Sequence, residues 1–185
     1  MNDAQVLIVG AGPVGLLGAM VFRAQGIETH VFSREAEDGA RADLVRTCGA
    51  NYVSAGRTPL DHLSERIGKI DVVFEAVGVP EVAFGALPAL AANGVLILTG
   101  VPAERGPVSA DLSRWMRDIV LKNQVIFGTV NASRSNYEDA IRRLEQFMVL
   151  FPDAVLSLLN RVPIDQAPDV LAHGRGIKDV VTFAA

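Results

Sequence analysis

The stretch that most constrains this chain is Val6-Leu7-Ile8-Val9-Gly10-Ala11-Gly12-Pro13-Val14-Gly15. An apolar run ends in Gly-x-Gly-x-x-Gly, a helix rich in small residues follows, and a second apolar run closes at Val31-Phe32-Ser33-Arg34. That order is the fingerprint of a βαβ unit that holds a dinucleotide pyrophosphate at a helix N-terminus. Gly10 permits the tight turn out of the strand. Gly12, lacking a Cβ, lets the backbone approach the phosphates, and Gly15 lets the helix pack closely on the strand. Pro13 suits the first helical turn, where its missing N–H is harmless. The helix runs through Leu16 to Gln25 with Gly26 as its C-cap. Its unpaired N–H groups and positive dipole end attract an anion. Gly10, Gly12, Pro13, Val14 and Gly15 are therefore candidate cofactor ligands.

The bulk numbers narrow the class. A chain of 185 residues, half of them hydrophobic, suits one ordered domain over residues 1–185. A net charge of −4 argues against a nucleic-acid binder, which would carry a basic face. No apolar run approaches the ~20 residues of a membrane span. Met1-Asn2-Asp3 lacks a basic leader region, and the lone Cys48 excludes an internal disulfide framework. A cytoplasmic location is the expectation.

Gln5–Val9 reads as a fully buried strand and Glu28–Ser33 as the second. Glu37 to Thr47 reads as a helix turning Ala40, Leu44 and Val45 inward, stopped by Gly49. Tyr52-Val53 is the third strand. Thr58 caps a helix with Pro59 at its first position, running to Ile67 with His62 facing solvent. The fourth strand and its exit are Asp71–Gly78, followed by a helix over Pro80–Leu90 and a fifth strand over Gly94–Leu98. Leu112–Leu121 is helical, with Trp115, Leu112, Met116 and Ile119 forming a core-packing stripe. Val125–Phe127 is the sixth strand, and a long helix runs from Asn136 to Phe151. Such alternation predicts an α/β Rossmann fold: a doubly wound, six-stranded parallel sheet in the order 3-2-1-4-5-6 with helices on both faces. From about residue 160 to 185 the chain forms a coda: a strand at Arg161–Ile164, a helix at Gln166–Ala172 and a strand at Val180–Phe183.

Folds that prefer NAD place Asp or Glu at the end of the second strand, about 20 residues past the glycines, to bond the ribose 2′-OH. Ser33 and Arg34 stand there instead. A hydroxyl and a guanidinium welcome a 2′-phosphate that a carboxylate would repel. NADP is thus favoured and NAD is second, with Glu35 and Glu37 as carboxylates able to turn toward the ribose. Arg41 reads as a solvated helix residue, with a second phosphate ligand as the alternative. In open α/β sheets ligands lie at the carboxyl ends of the strands, which nominates Ala76, Val77 and Gly78 for the adenosine side. Thr99, Gly100 and Val101 fall on the nicotinamide side. Glu75 reads as a ribose contact or a structural acceptor, and Cys48 as a packing residue. No Ser/His/Asp or Cys/His set can be assembled, so no catalytic residue is assigned.

Four stretches resemble the zinc-dependent medium-chain alcohol and sugar dehydrogenases: Gly10–Gly15, Asp71–Gly78, Gly94–Gly100 and Ile177–Val181. Thr99-Gly100-Val101-Pro102 and Leu121–Asn131 are similar to the branch of microbial glucose dehydrogenases. The resemblance covers nearly the whole chain. It implies that Val130 and Asn131 lie beside the nicotinamide and the sugar pocket, with the Asn131 amide bonding a sugar hydroxyl; the alternative for Asn131 is a helix N-cap, a role open to Ser133 and Ser135. It also implies a separate N-terminal catalytic domain, a partly open barrel that supplies the zinc ligands. One Cys and three His, none at metal-ligand spacing, give no zinc site here. The chain then reads as the cofactor-binding portion of a dehydrogenase, a piece of a longer protein or half of a split one, with its coda turned toward that domain. It would hold NADP for hydride transfer from a sugar carbon without completing the reaction alone. Oligomers of the family pair edge strands, which nominates Val125–Phe127 for a homodimer or tetramer. The rival readings are an FAD-binding fragment of a flavin oxidoreductase, which would carry Glu where Ser33 stands, and a non-catalytic dinucleotide redox sensor.

Overall fold

Strand β1 (Gln5–Val9) is apolar on both faces, and it takes a place that buries both: the middle of the sheet. Val6 and Ile8 enter one hydrophobic cluster while Leu7 and Val9 enter the other. The structure, a computed structural model, describes residues 3–103, 106–174 and 176–183; Met1 and Asn2, read above for a leader, lie outside them. Helix α1 (Pro13–Arg23) leads to β2 (Glu28–Ser33), α2 (Ala40–Thr47) to β3 (Asn51–Ser54), and α3 (Leu63–Ile67) to β4 (Ile70–Glu75). Then come α4 (Pro80–Gly85), β5 (Leu90–Leu98), α5 (Leu112–Leu121) and β6 (Val125–Gly128). The sheet runs β3-β2-β1-β4-β5-β6 and every pairing is parallel, as the alternation of elements predicts.

Leu16, Ala19 and Met20 of α1 and Ala42, Leu44 and Val45 of α2 cover one face of the sheet. Leu63 and Ile67 of α3, with the partly buried Val82 of α4 and Trp115 and Ile119 of α5, cover the other. Helices α6 (Arg134–Leu150) and α7 (Pro152–Leu158) return to the first face through Phe147, Ala154, Val155 and Leu158. Strands β7 (Leu159–Pro163) and β8 (Lys178–Thr182), joined through α8 (Ala167–His173), form a separate two-stranded parallel sheet, which is the coda.

Several sequence expectations are corrected. Helix α2 begins at Ala40 rather than Glu37; Ala40 is exposed, and Ala42 takes the inward position assigned to it. Glu37 is drawn out of the helix by ion pairs to Arg57 and Arg66. Thr58 does not cap a helix: its hydroxyl accepts from Arg66, and a 3-10 turn over Leu60–His62 precedes α3. The helix after β4 ends at Gly85, and a 3-10 turn carries Pro88 because proline cannot donate to an α-helical ladder. Strand β5 is longer than predicted, since it begins at Leu90 and absorbs a bulge: Ile70 pairs with Leu90, but Val72 pairs with Val95. The long helix stops at Leu150, and Pro152 opens α7 in a new direction. The stripe on α5 is divided. Trp115 stacks on Phe84 with ring centroids 5.1 Å apart, whereas Leu112 and Met116 are 68% and 71% exposed.

Candidate functional site

The carboxyl ends of the strands are tied into one row. The ladder continues past each strand by a single hydrogen bond: Ala55 N–H to Ser33 O (2.8 Å), Gly10 to Phe32 (2.8 Å), Ala76 to Val9 (2.9 Å), Thr99 to Glu75 (3.1 Å) and Thr129 to Leu98 (3.0 Å). The loops holding the predicted residues Ser33, Gly10–Gly15, Ala76–Gly78, Thr99–Val101 and Val130-Asn131 therefore lie side by side in strand order. The order of strands reverses between β1 and β4, and a crevice for ligands forms at such a reversal.

The three glycines of the fingerprint differ in what constrains them. Gly10 has φ +108°, which excludes most L side chains, and a Cβ there would lie 2.7 Å from Val77 Cγ2. A Cβ on Gly15 would sit 1.9 Å from the Gly10 carbonyl oxygen, so this glycine is what lets α1 start against the turn. A Cβ on Gly12 would meet nothing within 4 Å. The space beside Gly12 is open, as a phosphate cradle requires, and protein packing does not explain the glycine. Pro13 occupies the first turn of α1 and Val14 faces outward beside it. The N–H groups of that turn are the ones an α-helix leaves unpaired.

At the end of β2, Ser33 donates to the carboxylate of Glu35. Partial burial works to raise the Glu35 pKa, but the Ser33 hydrogen bond, a backbone hydrogen bond and the charges of Arg41 and Arg34 outweigh it and hold the carboxyl below the usual range. Tyr52 Oη and Ser54 Oγ both donate to the Glu35 carbonyl at 2.9 Å, which fixes the segment on β3. Arg34 is exposed. Of the two glutamates weighed for the ribose, Glu37 is occupied with Arg57 and Arg66 while Glu35 stays beside Ser33. Arg41 is not simply solvated. Its guanidinium donates to the Ala11 carbonyl at 2.9 Å and so ties α2 to the glycine-rich turn.

Glu75 resolves as a structural acceptor. Its Oε1 accepts the N–H groups of Val77 and Gly78, each at 2.6 Å, and its Oε2 accepts that of Gly100 at 3.2 Å. The exits of β4 and β5 close on each other around this carboxylate. A Cβ on Gly100 would come within 2.1 Å of Gly78 N, and one on Gly78 within 2.9 Å of Val101 O. Both glycines are thus demanded by the meeting of two loops. Sequence reasoning left Glu75 undecided; the signal was an acid closing an apolar strand and followed by small residues.

Val101, Val130 and Asn131 are exposed. Asn131 is not the cap of α6, because Ser133 holds that position and its N–H donates to Asn136 Oδ1 at 2.9 Å. Cys48 is fully buried, and burial pushes its thiol up to about 12, as suits a packing residue. His62 is exposed and pairs with Glu65. Among the described residues no three His, Cys, Asp or Glu side chains gather as a metal ion would need.

A doubly wound sheet with a glycine turn at its reversal point and its loops aligned along the carboxyl edge defines a Rossmann-type domain. The chain belongs to the family described as glucose dehydrogenase C-terminus, whose model matches residues 1–183. It is 31% identical over 157 residues to a glucose 1-dehydrogenase of Methanocella arvoryzae, covering 85% of this chain and 44% of that one. It is 36% identical over 155 residues to glucose 1-dehydrogenase 1 of Caldivirga maquilingensis, covering 84% of this chain and 42% of that one. The chain thus spans less than half the length of both relatives. The glucose dehydrogenase of Haloferax mediterranei, solved in complex with NADP, zinc and gluconolactone, has the same fold, with a TM-score of 0.87 at 24% identity over 100% of this chain and 52% of that one. The resemblance read from the glycine turn, the fourth and fifth strands and the Gly-x-Val-Asn stretch is borne out.

Proposed function

We propose that residues 1–185 form one domain that binds NADP, with NAD as second choice, and orients it for hydride transfer from a glucose-type sugar in a full-length dehydrogenase. The carrying observation is the glycine turn, where Gly10 and Gly15 are fixed by packing while Gly12 opens onto space that no protein atom fills. Gly10, Gly12, Pro13, Val14 and Gly15 would hold the pyrophosphate, and Ser33 and Arg34 the 2′-phosphate. Ala76, Val77 and Gly78 would line the adenosine side, and Thr99, Gly100 and Val101 the nicotinamide side. Val130 and Asn131 would face the ring and the sugar. The cofactor supplies the hydride acceptor, and this chain's residues hold it in place. Among the described residues no cluster of side chains fits zinc, which in this reading belongs to a catalytic domain toward which the β7–β8 coda turns. NADP and gluconolactone in the Haloferax complex support the same reading over a flavin or sensor role.

A homodimer or tetramer would form through β6, an outer strand of the sheet. No described helix is long and apolar enough to cross a membrane, and we place the protein in the cytoplasm. Calorimetric titration tests the central claim. The chain should bind NADP more tightly than NAD, and Arg34→Ala should weaken NADP by about tenfold, the worth of one exposed charge-assisted bond. Tighter NAD binding, or an Arg34→Ala variant with unchanged NADP affinity, would refute the assignment. The metal-free chain alone should not oxidise glucose; turnover by it would sink the division of labour.

A further inference from the structure

A carboxylate buried at the end of an inner strand needs a physical reason. Glu75 is 1% exposed, and its register partners in the flanking strands, Val9 and Leu98, are apolar. The groups that solvate it are backbone N–H dipoles from Val77, Gly78 and Gly100. No lysine, arginine or histidine pairs with it among the described residues. Amide dipoles satisfy its oxygens without cancelling its charge. Beside it lies a cavity of about 70 Å³ walled largely by apolar groups, Phe84, Leu98 and Pro102 among them. The field of a charge in such surroundings is screened far less than at a wet surface.

We propose that Glu75 is a positioning and tuning residue for the nicotinamide ring, whose buried charge favours the oxidised, cationic ring over the reduced, neutral one. This rests on the reading that the Thr99–Val101 exit carries the nicotinamide half. The same carboxylate that draws the β4 and β5 exits together then also biases which redox form stays bound. Oxidised cofactor is retained, and the ring's loss of positive charge on accepting hydride loosens the product. A tenfold bias lowers the potential of the bound two-electron couple by about 30 mV.

The test is titration of the chain with oxidised NADP, reduced NADPH and adenosine 2′,5′-bisphosphate, which lacks the ring. Glu75→Gln should lower the preference for the oxidised over the reduced form on the order of tenfold, on top of any common loss that its weakened clamp on Val77 and Gly78 imposes on all three ligands. Glu75→Asp keeps the charge but shortens the reach, so it should weaken both redox forms together and preserve their ratio. A Glu75→Gln chain that loses both forms by one factor would reduce Glu75 to a clamp and overturn the proposal. Should Glu75→Gln fail to melt cooperatively, the wild-type chain decides: it should bind NADP more tightly than NADPH, and equal or reversed affinities equally overturn the proposal. Wild-type chain that binds neither dinucleotide nor the bisphosphate would refute the cofactor reading itself, whereas intact binding with unaltered ratios refutes the tuning alone.

Discussion

Strands β1 and β6 are built from similar residues and end in opposite surroundings. Val6-Leu7-Ile8-Val9 is buried on both faces between β2 and β4. Val125-Ile126-Phe127 is as apolar, yet it is an outer strand left uncovered, with Val125 52% and Phe127 44% exposed. Cover separates them more than rank does, since β3 is also an outer strand and its Tyr52, Val53 and Ser54 are buried. A central strand meets helices above and below and a neighbour on each side, while an outer strand keeps one row of backbone groups unpaired. Helix α5, beside β6, leaves Leu112 and Met116 uncovered in the same region. The apolar content of β1 stabilises the fold, and much of that of β6 lies at the surface.

The contrast can be broken by substitution. The largest effect is expected at the turn that β1 feeds. Gly15→Ala would force a Cβ within 1.9 Å of the Gly10 oxygen, and denaturant titration should show a loss of roughly 3 kcal/mol or more. A melt near that of the wild type would mean that the turn can relax. Leu7→Ala should cost about 2–5 kcal/mol through the cavity left behind. Phe127→Ala should cost less than about 1 kcal/mol in the chain alone; equal costs for these two would erase the distinction between centre and edge. Gly12→Ala should leave stability within about 0.5 kcal/mol while NADP affinity falls by about tenfold, since open space, and not packing, asks for that glycine. A destabilised Gly12→Ala chain would return it to a structural role.

The smallest effect concerns pH. The folded-state pKa of Glu35 lies below its ordinary value of 4.5. Its contribution is therefore fully present above that value and is lost as pH falls through the lower, folded one. At neutral pH Ser33→Ala should be less stable than wild type by a gap that does not change with pH. The two curves should converge below pH ~4.5 as the carboxylate that Ser33 serves takes up its proton. A constant gap down to strong acid would show that the bond does not favour the ionised form.

The sheet was legible because its cues are local. An apolar run before glycines gives β1 to the residue, and the regular return of such runs gives the strand order. What escaped depends on partners distant in sequence. Glu37 leaves its helix for Arg57 and Arg66. Arg41 reaches back to Ala11, thirty residues away. Glu75 gathers amides from two loops, of which Gly100 lies twenty-five residues on. The bulge in β5 hides in Ala92-Asn93-Gly94, where Asn93 adopts φ +60° and no alternation announces it. Gly78 and Gly100 were legible as residues of ligand-facing strand exits, but the sequence did not say that they approach each other.

Cys48 carries a practical consequence. The chain has a single thiol, and it is fully buried with its ionisation pushed up to about 12, so reagents that attack thiolates at neutral pH will pass it by. A cysteine installed at an exposed loop position such as Val101 or Val130 would then be the one reactive handle, with no background to remove. Dyes or spin labels placed there in turn would report, loop by loop, what happens along the row of strand exits when a ligand arrives.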